Sequence, residues 1–146
     1  MTESFSHEYQ AQWADMDFNQ HMANSAFLDY AGNTRTLFSA ARGFSVSTWA
    51  DRQFGPVVLE DRLVYKREIR LLEFFTVDVQ LAGATPDVRR FKIRNRFFKD
   101  GATLCATVDS IGLWLGFAAR KPITPPDDLR DAWLSLERTE DFEDWA

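Results

Sequence analysis

At 146 residues with 45% hydrophobic content, the chain can bury one core and is too short to divide readily into two. A formal net charge of -5 excludes the broad positive field that bulk nucleic-acid or anionic-membrane binding requires, so any anionic ligand must be met by local basic residues. The single cysteine, Cys105, rules out a disulfide within the chain and, flanked by Leu104 and Ala106, is expected as a buried thiol in a reducing compartment.

The opening MTESFSHEYQ has no basic start followed by an apolar run, and no later segment approaches the length of a membrane span. A cytoplasmic protein with no membrane contact is expected. Residues 4 to 13 alternate, with Phe5, His7, Tyr9, Ala11 and Trp13 on one face, which predicts a half-buried strand. A polar loop follows in ADMDFNQHMANSAF, residues 14 to 27, which gathers two carboxylates, Asn24 and one of the two histidines. Phe27, Tyr30, Ala31, Thr34, Leu37, Phe38 and Ala41 then recur at spacings of three and four. This predicts a helix from about Ser25 to Arg42, about 27 Å long, capped by Asn24 or Ser25 and stopped at Gly43.

After a connection at residues 43 to 55 the chain reads as strands. Val57, Leu59, Leu63 and Tyr65 share one parity in the first, and Phe75, Val77, Val79 and Leu81 in the second. Turn signals at Ala84-Thr85-Pro86-Asp87 and Lys99-Asp100-Gly101 bound a strand from Val88 to Phe98 and a last one from Thr103 to Phe117, as consecutive antiparallel hairpins. Pro122, Pro125 and Pro126 stop the sheet, Asp127 to Glu137 reads as a short helix, and the acidic tail from Thr139 is expected to be exposed. The whole is one α+β domain over residues 1–146, with a core at about 4–122 and a C-terminal helix and tail at 123–146. An antiparallel sheet of about five strands is expected to wrap one long central helix.

The stretch DMDFNQHMANSAFLDY resembles the signature of the hotdog-fold acyl-CoA thioesterases of the 4-hydroxybenzoyl-CoA thioesterase type, Asp-x-Asp-x-x-Gly-His-Val-Asn-Asn-x-x-Tyr before the central helix. Asp15, Asp17, His21 and Asn24 match in register, and Phe27 stands where an aromatic is usual. Gln20 replaces the glycine, and Ala23 the first of the two asparagines. The resemblance implies a hotdog fold, hydrolysis of an acyl-CoA to free acid and CoA without a cofactor, and a homodimer or homotetramer. It also implies that the backbone N–H of Asn24 polarises the thioester carbonyl. Related hotdog domains act as acyl-CoA-binding modules and as hydratases or dehydratases, and these remain the competing readings.

Thioester hydrolysis needs a base or nucleophile, donors for the developing oxyanion and a slot for the acyl group. Asp17 precedes the helix closely enough to fold back to its N-terminus, as general base or as nucleophile. Asp15 reads as a loop brace that accepts backbone N–H groups, and His21 as a residue that orders the loop. Phe27 and Tyr30, with Trp13, Trp49 and Phe54, are the aromatics available to line an acyl pocket.

An EF-hand beginning at Asp15 would need glycine and glutamate where the chain has Gln20 and Ala26, and no second histidine or cysteine is spaced to join His21, so no metal is assigned. In VRRFKIRNRFFKD, Arg90, Lys92, Arg94 and Arg96 share one parity opposite Phe91, Ile93 and Phe97. This row is either a charged outer face balanced by carboxylates or, through Arg89, Arg90 and Arg94, part of a site for CoA phosphates. The apolar EFFTVDVQLA has too few charges for a free edge and is expected to pair with a second copy.

Overall fold

In a computed structural model, which describes residues 2–146, the alternating start of the chain forms strand β1 (Phe5–Gln10) and the helical stripe forms helix α1 (Asn24–Ala41). Ala26, Phe27, Ala31, Thr34 and Phe38 make the buried face of α1. The helix ends where Gly43 takes φ 90°, a left-handed conformation that glycine enters without a Cβ penalty. The connection that follows contains a second helix, α2 (Val46–Arg52), capped by the Ser45 hydroxyl on the Thr48 N–H. Two turns are too short for periodicity to reveal.

The remaining strands are β2 (Phe54–Tyr65), β3 (Phe74–Ala84), β4 (Arg90–Lys99) and β5 (Thr103–Gly116), in the spatial order β1-β3-β4-β5-β2. A short β6 (Lys121–Ile123) extends from β5, helix α3 (Asp127–Leu134) follows, and β7 (Arg138–Asp144) runs parallel to the end of β3. Among the described residues the sheet therefore has seven strands rather than about five. The tail from Thr139, expected as exposed, is β7, although its acidic side chains do face solvent.

Two further expectations are corrected. β3, read from EFFTVDVQLA as an open edge, is central, with β1 on one side and β4 on the other; its apolar row is buried by α1 within the same chain. The long edge is β2, paired only to β5, with Val58, Leu59 and Tyr65 exposed. Leu59 is skipped in the register between Val58 and Glu60, which makes it a bulge. Trp13, expected inward on the first strand, lies instead in a single 3-10 turn, Trp13–Asp15, and is 82% exposed.

The core divides along α1. Phe27 and Ala31 pack with Phe75, Val77 and Phe97, while Phe38 packs with Phe91, Trp114 and Trp133. Each such large side chain contributes about 1.5–3 kcal/mol on burial, so the helix is held mainly by this face. The first of these clusters supports the polar loop.

Candidate active site

The chain leaves β1 through Ala11, whose N–H donates to Glu73 O and whose carbonyl accepts from Leu72 N–H. Asp15 then braces the loop: its Oδ2 accepts the Gln12 N–H at 2.8 Å and the Tyr30 hydroxyl at 2.5 Å, and its carbonyl accepts the Ala23 N–H at 2.8 Å. Burial, reinforced by the hydrogen bond to Asp15, pushes the Tyr30 phenol above its ordinary range, so it remains a donor.

Asp17 opens a tight turn. Gln20 N–H donates to Asp17 O at 3.0 Å, and Asp17 N–H donates to His21 O at 2.9 Å. One carboxylate oxygen, Oδ1, accepts the Asn19 N–H at 2.8 Å and the His21 N–H at 3.3 Å. The other, Oδ2, has no hydrogen-bond partner among the described residues. Gln20 occupies the left-handed region at φ 62°, where the resemblance places glycine. His21 is tied by a backbone bridge to Arg70, and Met22 N–H donates to Ile69 O, so the loop is fastened to the segment after β2.

At the start of α1, Ala23 N–H is taken by Asp15 O, and Ser25 N–H by the Asn24 side chain at 2.9 Å. The Asn24 N–H remains as a first-turn donor without an acceptor among the described residues, at the positive end of an 18-residue helix. A backbone N–H in this position is able to donate a hydrogen bond to a negatively charged oxygen.

Two clefts open beside this loop. The first, about 860 Å³, is lined by Trp13, Met16, Asp17, Phe18, His21 and Arg70 among others. The second, about 610 Å³, brings Asp17, His21, Asn24 and Phe27 together with Tyr65, Lys66 and Arg67. Asp17, Phe18 and His21 line both, so the turn forms the ridge between them.

Of the residues singled out in the sequence, Asp17, His21, Asn24 and Phe27 thus meet at one cleft. Tyr30 does not: it is packed among Tyr9, Phe75 and Asp15, and its role here is to brace. Arg89 and Arg90 line neither cleft. Arg90 pairs with Leu113 on β5, whereas Tyr65 at the cleft pairs with Ala106, a separation of about 23 Å along the strand. Arg94 is held by Asp109 at 2.7 Å and Asp141 at 2.9 Å, while Lys92 pairs with Glu143 and Arg96 with Asp78. The β4 row from Lys92 to Arg96 is therefore a charged face balanced by carboxylates.

Sequence reasoning passed over the cations that do reach the clefts. Lys66, Arg67 and Arg70 follow β2 in YKREIRLLEFF; Arg70 pairs with Glu68 at 3.3 Å, and Lys66 and Arg67 make no ion pair among the described residues. Their clustering just beyond a strand end was the available signal.

A sheet wrapped on one long helix, with a polar loop at the helix N-terminus, is the architecture of the hotdog hydrolases. The sequence matches the thioesterase-like superfamily over residues 11–133, and the chain belongs to that family, a class of thioester hydrolases. No curated protein matches the sequence. Among solved structures, a hypothetical protein of Staphylococcus aureus in complex with CoA is 18% identical, with a TM-score of 0.86 over 95% of this chain and 89% of that one. A 1,4-dihydroxy-2-naphthoyl-CoA thioesterase of Synechocystis is 15% identical, with a TM-score of 0.81 over 92% and 98%. A gentisyl-coenzyme A thioesterase is 18% identical, with a TM-score of 0.76 over 88% and 98%. At such identities the likeness is one of fold. No helix among the described residues is long and apolar enough to cross a membrane.

Proposed function

We propose that the chain hydrolyses acyl-CoA thioesters to free acid and CoA, with Asp17 as general base or nucleophile and the Asn24 backbone N–H as the oxyanion donor. The observation that carries this reading is the joint opening of Asp17, with one carboxylate oxygen uncommitted, and the unpaired Asn24 N–H on a single cleft. The thioester carbonyl oxygen accepts from Asn24 N–H, where the helix dipole favours the negative charge that develops. Asp17 either removes a proton from the attacking water or attacks the carbonyl carbon itself. The C–S bond then breaks, and the thiolate leaves as CoA. His21, without a hydrogen bond to the Asp17 carboxylate from its ring, shapes the ridge rather than relaying protons.

Lys66 and Arg67, free of ion pairs at the cleft rim, serve the CoA phosphates in this reading. Arg94 is withdrawn from that role by Asp109 and Asp141, and Arg89 and Arg90 reach a cleft only from a second copy of the chain. A homodimer supplies that copy. The exposed twelve-residue edge of β2, with Val58, Leu59 and Tyr65, joins its symmetry mate, and closed two-fold symmetry ends the growth. Tyr65 lies on both the edge and the cleft, so the site is shared between protomers.

The experiment is hydrolysis of CoA esters against esters of pantetheine, which lack the nucleotide, by the double variant Lys66→Ala/Arg67→Ala. Recognition by these cations raises KM for the CoA esters alone, with kcat at saturation held. Equal effects on both substrate types return Lys66 and Arg67 to solvent.

A further inference from the structure

Between β2 and β3 the chain runs through residues 66–73 without helix or strand, yet this segment brings Lys66 and Arg67 to one cleft and Arg70 to the other. Its first end is tied to β5, where Cys105 O accepts the Lys66 and Arg67 N–H groups at 2.8 and 3.0 Å. The Asp17 turn hangs on its middle: Met22 N–H donates to Ile69 O at 2.8 Å, and His21 bridges Arg70. Whatever fixes the backbone around Ile69 therefore also fixes the turn that carries Asp17.

Two side chains from outside the site do this, one on each side of Ile69. Lys99, the last residue of β4, donates from Nζ to Glu68 O at 2.8 Å, and Glu73 accepts the Arg70 N–H on Oε1 at 2.6 Å. Lys99 Nζ also lies 3.5 Å from that Oε1, so the carboxylate joins the two contacts into one clamp. The Lys99 side chain is only 15% exposed; its ammonium has exchanged most of its water for a backbone carbonyl and a carboxylate. Leu72, inside the clamped turn, holds φ 69°, with its N–H on Ala11 O and its carbonyl taken by the Gln10 side chain. An L residue stays in that region only where its surroundings over-determine it. Neither Glu73 nor Lys99 lines either cleft, so neither touches a substrate bound there.

We propose that Lys99 and Glu73 are positioning residues for the reaction: they lock the backbone at residues 68–70, and through His21 and Met22 that backbone sets where the Asp17 carboxylate stands. The inference rests on the reading of Asp17 as the reacting group. Lys66 and Arg67 are held separately by Cys105 O, so loss of the clamp falls on turnover and spares CoA recognition. A displacement of about 1 Å at a reacting group is enough to cost up to about two orders of magnitude in rate.

The test joins kinetics to hydrogen exchange on the full chain. Lys99→Met and Glu73→Ala remove the clamp, whereas Glu73→Gln keeps an oxygen for the Arg70 N–H. Each of the first two should lower kcat by about tenfold or more, with KM for CoA esters within about twofold of wild type, and Glu73→Gln should keep kcat within about threefold. In the same two variants the His21 and Met22 amides should exchange about tenfold faster or more, while those of Lys66, Arg67, β4 and β5 keep their rates, which separates a local shift from general unfolding. If one of the two fails to fold, the other carries both arms. Unchanged kcat, a Glu73→Gln variant as slow as Glu73→Ala, or unchanged exchange at His21 and Met22 would each overturn the proposal. Turnover left intact by Asp17→Asn would reject the reading of Asp17 itself, and the exchange arm alone would then decide whether the clamp holds the turn.

Discussion

Asp17 and His21 close one turn, yet they are joined through backbone: Asp17 N–H donates to His21 O at 2.9 Å, and the His21 N–H, not its ring, donates to Asp17 Oδ1 at 3.3 Å. The carboxylate thus caps the turn through Oδ1 and keeps Oδ2 without a hydrogen-bond partner among the described residues; in the proposed function Oδ2 does the chemistry. Substitutions separate the two roles. Asp17→Asn keeps an oxygen to accept both N–H groups and should melt within a degree or two of wild type. Asp17→Ala removes the cap and should cost about 1 kcal/mol. Equal melting temperatures for the two variants would mean that the turn does not need the side chain.

His21→Ala should lower turnover by less than about tenfold, with part of the loss traced to a lower melting temperature, as for a residue that shapes the loop rather than moves a proton. A loss as large as that of Asp17→Asn at unchanged stability would instead give the imidazole a chemical role.

At Gln20 the backbone holds φ 62°, which costs an L residue about 1 kcal/mol or more relative to glycine. Gln20→Gly should be neutral or stabilising by up to about 1 kcal/mol, offset by a freer unfolded chain, and Gln20→Val should destabilise by more than that. Thermal melts of both variants decide it; a valine variant as stable as wild type would show that the turn relaxes.

The long helix, its stop at Gly43 and the β3-β4-β5 meander were legible because their periodicities are long and their turns carry glycine, proline or aspartate. The four signature polar residues at the loop, Asp15, Asp17, His21 and Asn24, were legible by register. What escaped was set by tertiary pairing. The acidic side chains of β7 face solvent, and the backbone bonds to β3 and the Arg94–Asp141 ion pair that hold it as a strand come from residues far away in sequence. The burial of β3 at the centre of the sheet depends on β1 returning to it from 64 residues away, as Gln10 pairs with Phe74, and local pattern carries no such information. For Arg94 both readings stayed open in the sequence, because the partners that decide between them, Asp109 and Asp141, lie 15 and 47 residues on.

That pair gives a pH dependence. The Arg94 guanidinium holds the Asp141 carboxyl at about 2, below its ordinary 3.8. A depressed carboxylate contributes stability that is present above the unfolded value and lost as pH falls through the folded one. Attachment of β7 should therefore weaken between about pH 4 and pH 2. Hydrogen exchange of residues 138–144 should rise across that window in wild type and be already high in Asp141→Asn. A flat profile in wild type would remove the ion pair from the account of β7.

If β2 is the contact between copies, Leu59→Lys should shift the chain toward monomer, since a charge at the exposed bulge opposes edge pairing. Sedimentation velocity reports the state. Activity should fall with the dimer, and a fully active monomer would show that one chain completes the site.

The central claim is that Asp17 performs thioester hydrolysis. Free-thiol release from short, long and aromatic acyl-CoAs by wild type and Asp17→Asn tests it most directly. The account predicts turnover of at least one ester class by wild type and a loss of about two orders of magnitude or more in the folded variant. Near-normal turnover by Asp17→Asn, or background rates from wild type on every ester despite tight acyl-CoA binding, would contradict it, the latter leaving a domain that binds without hydrolysing.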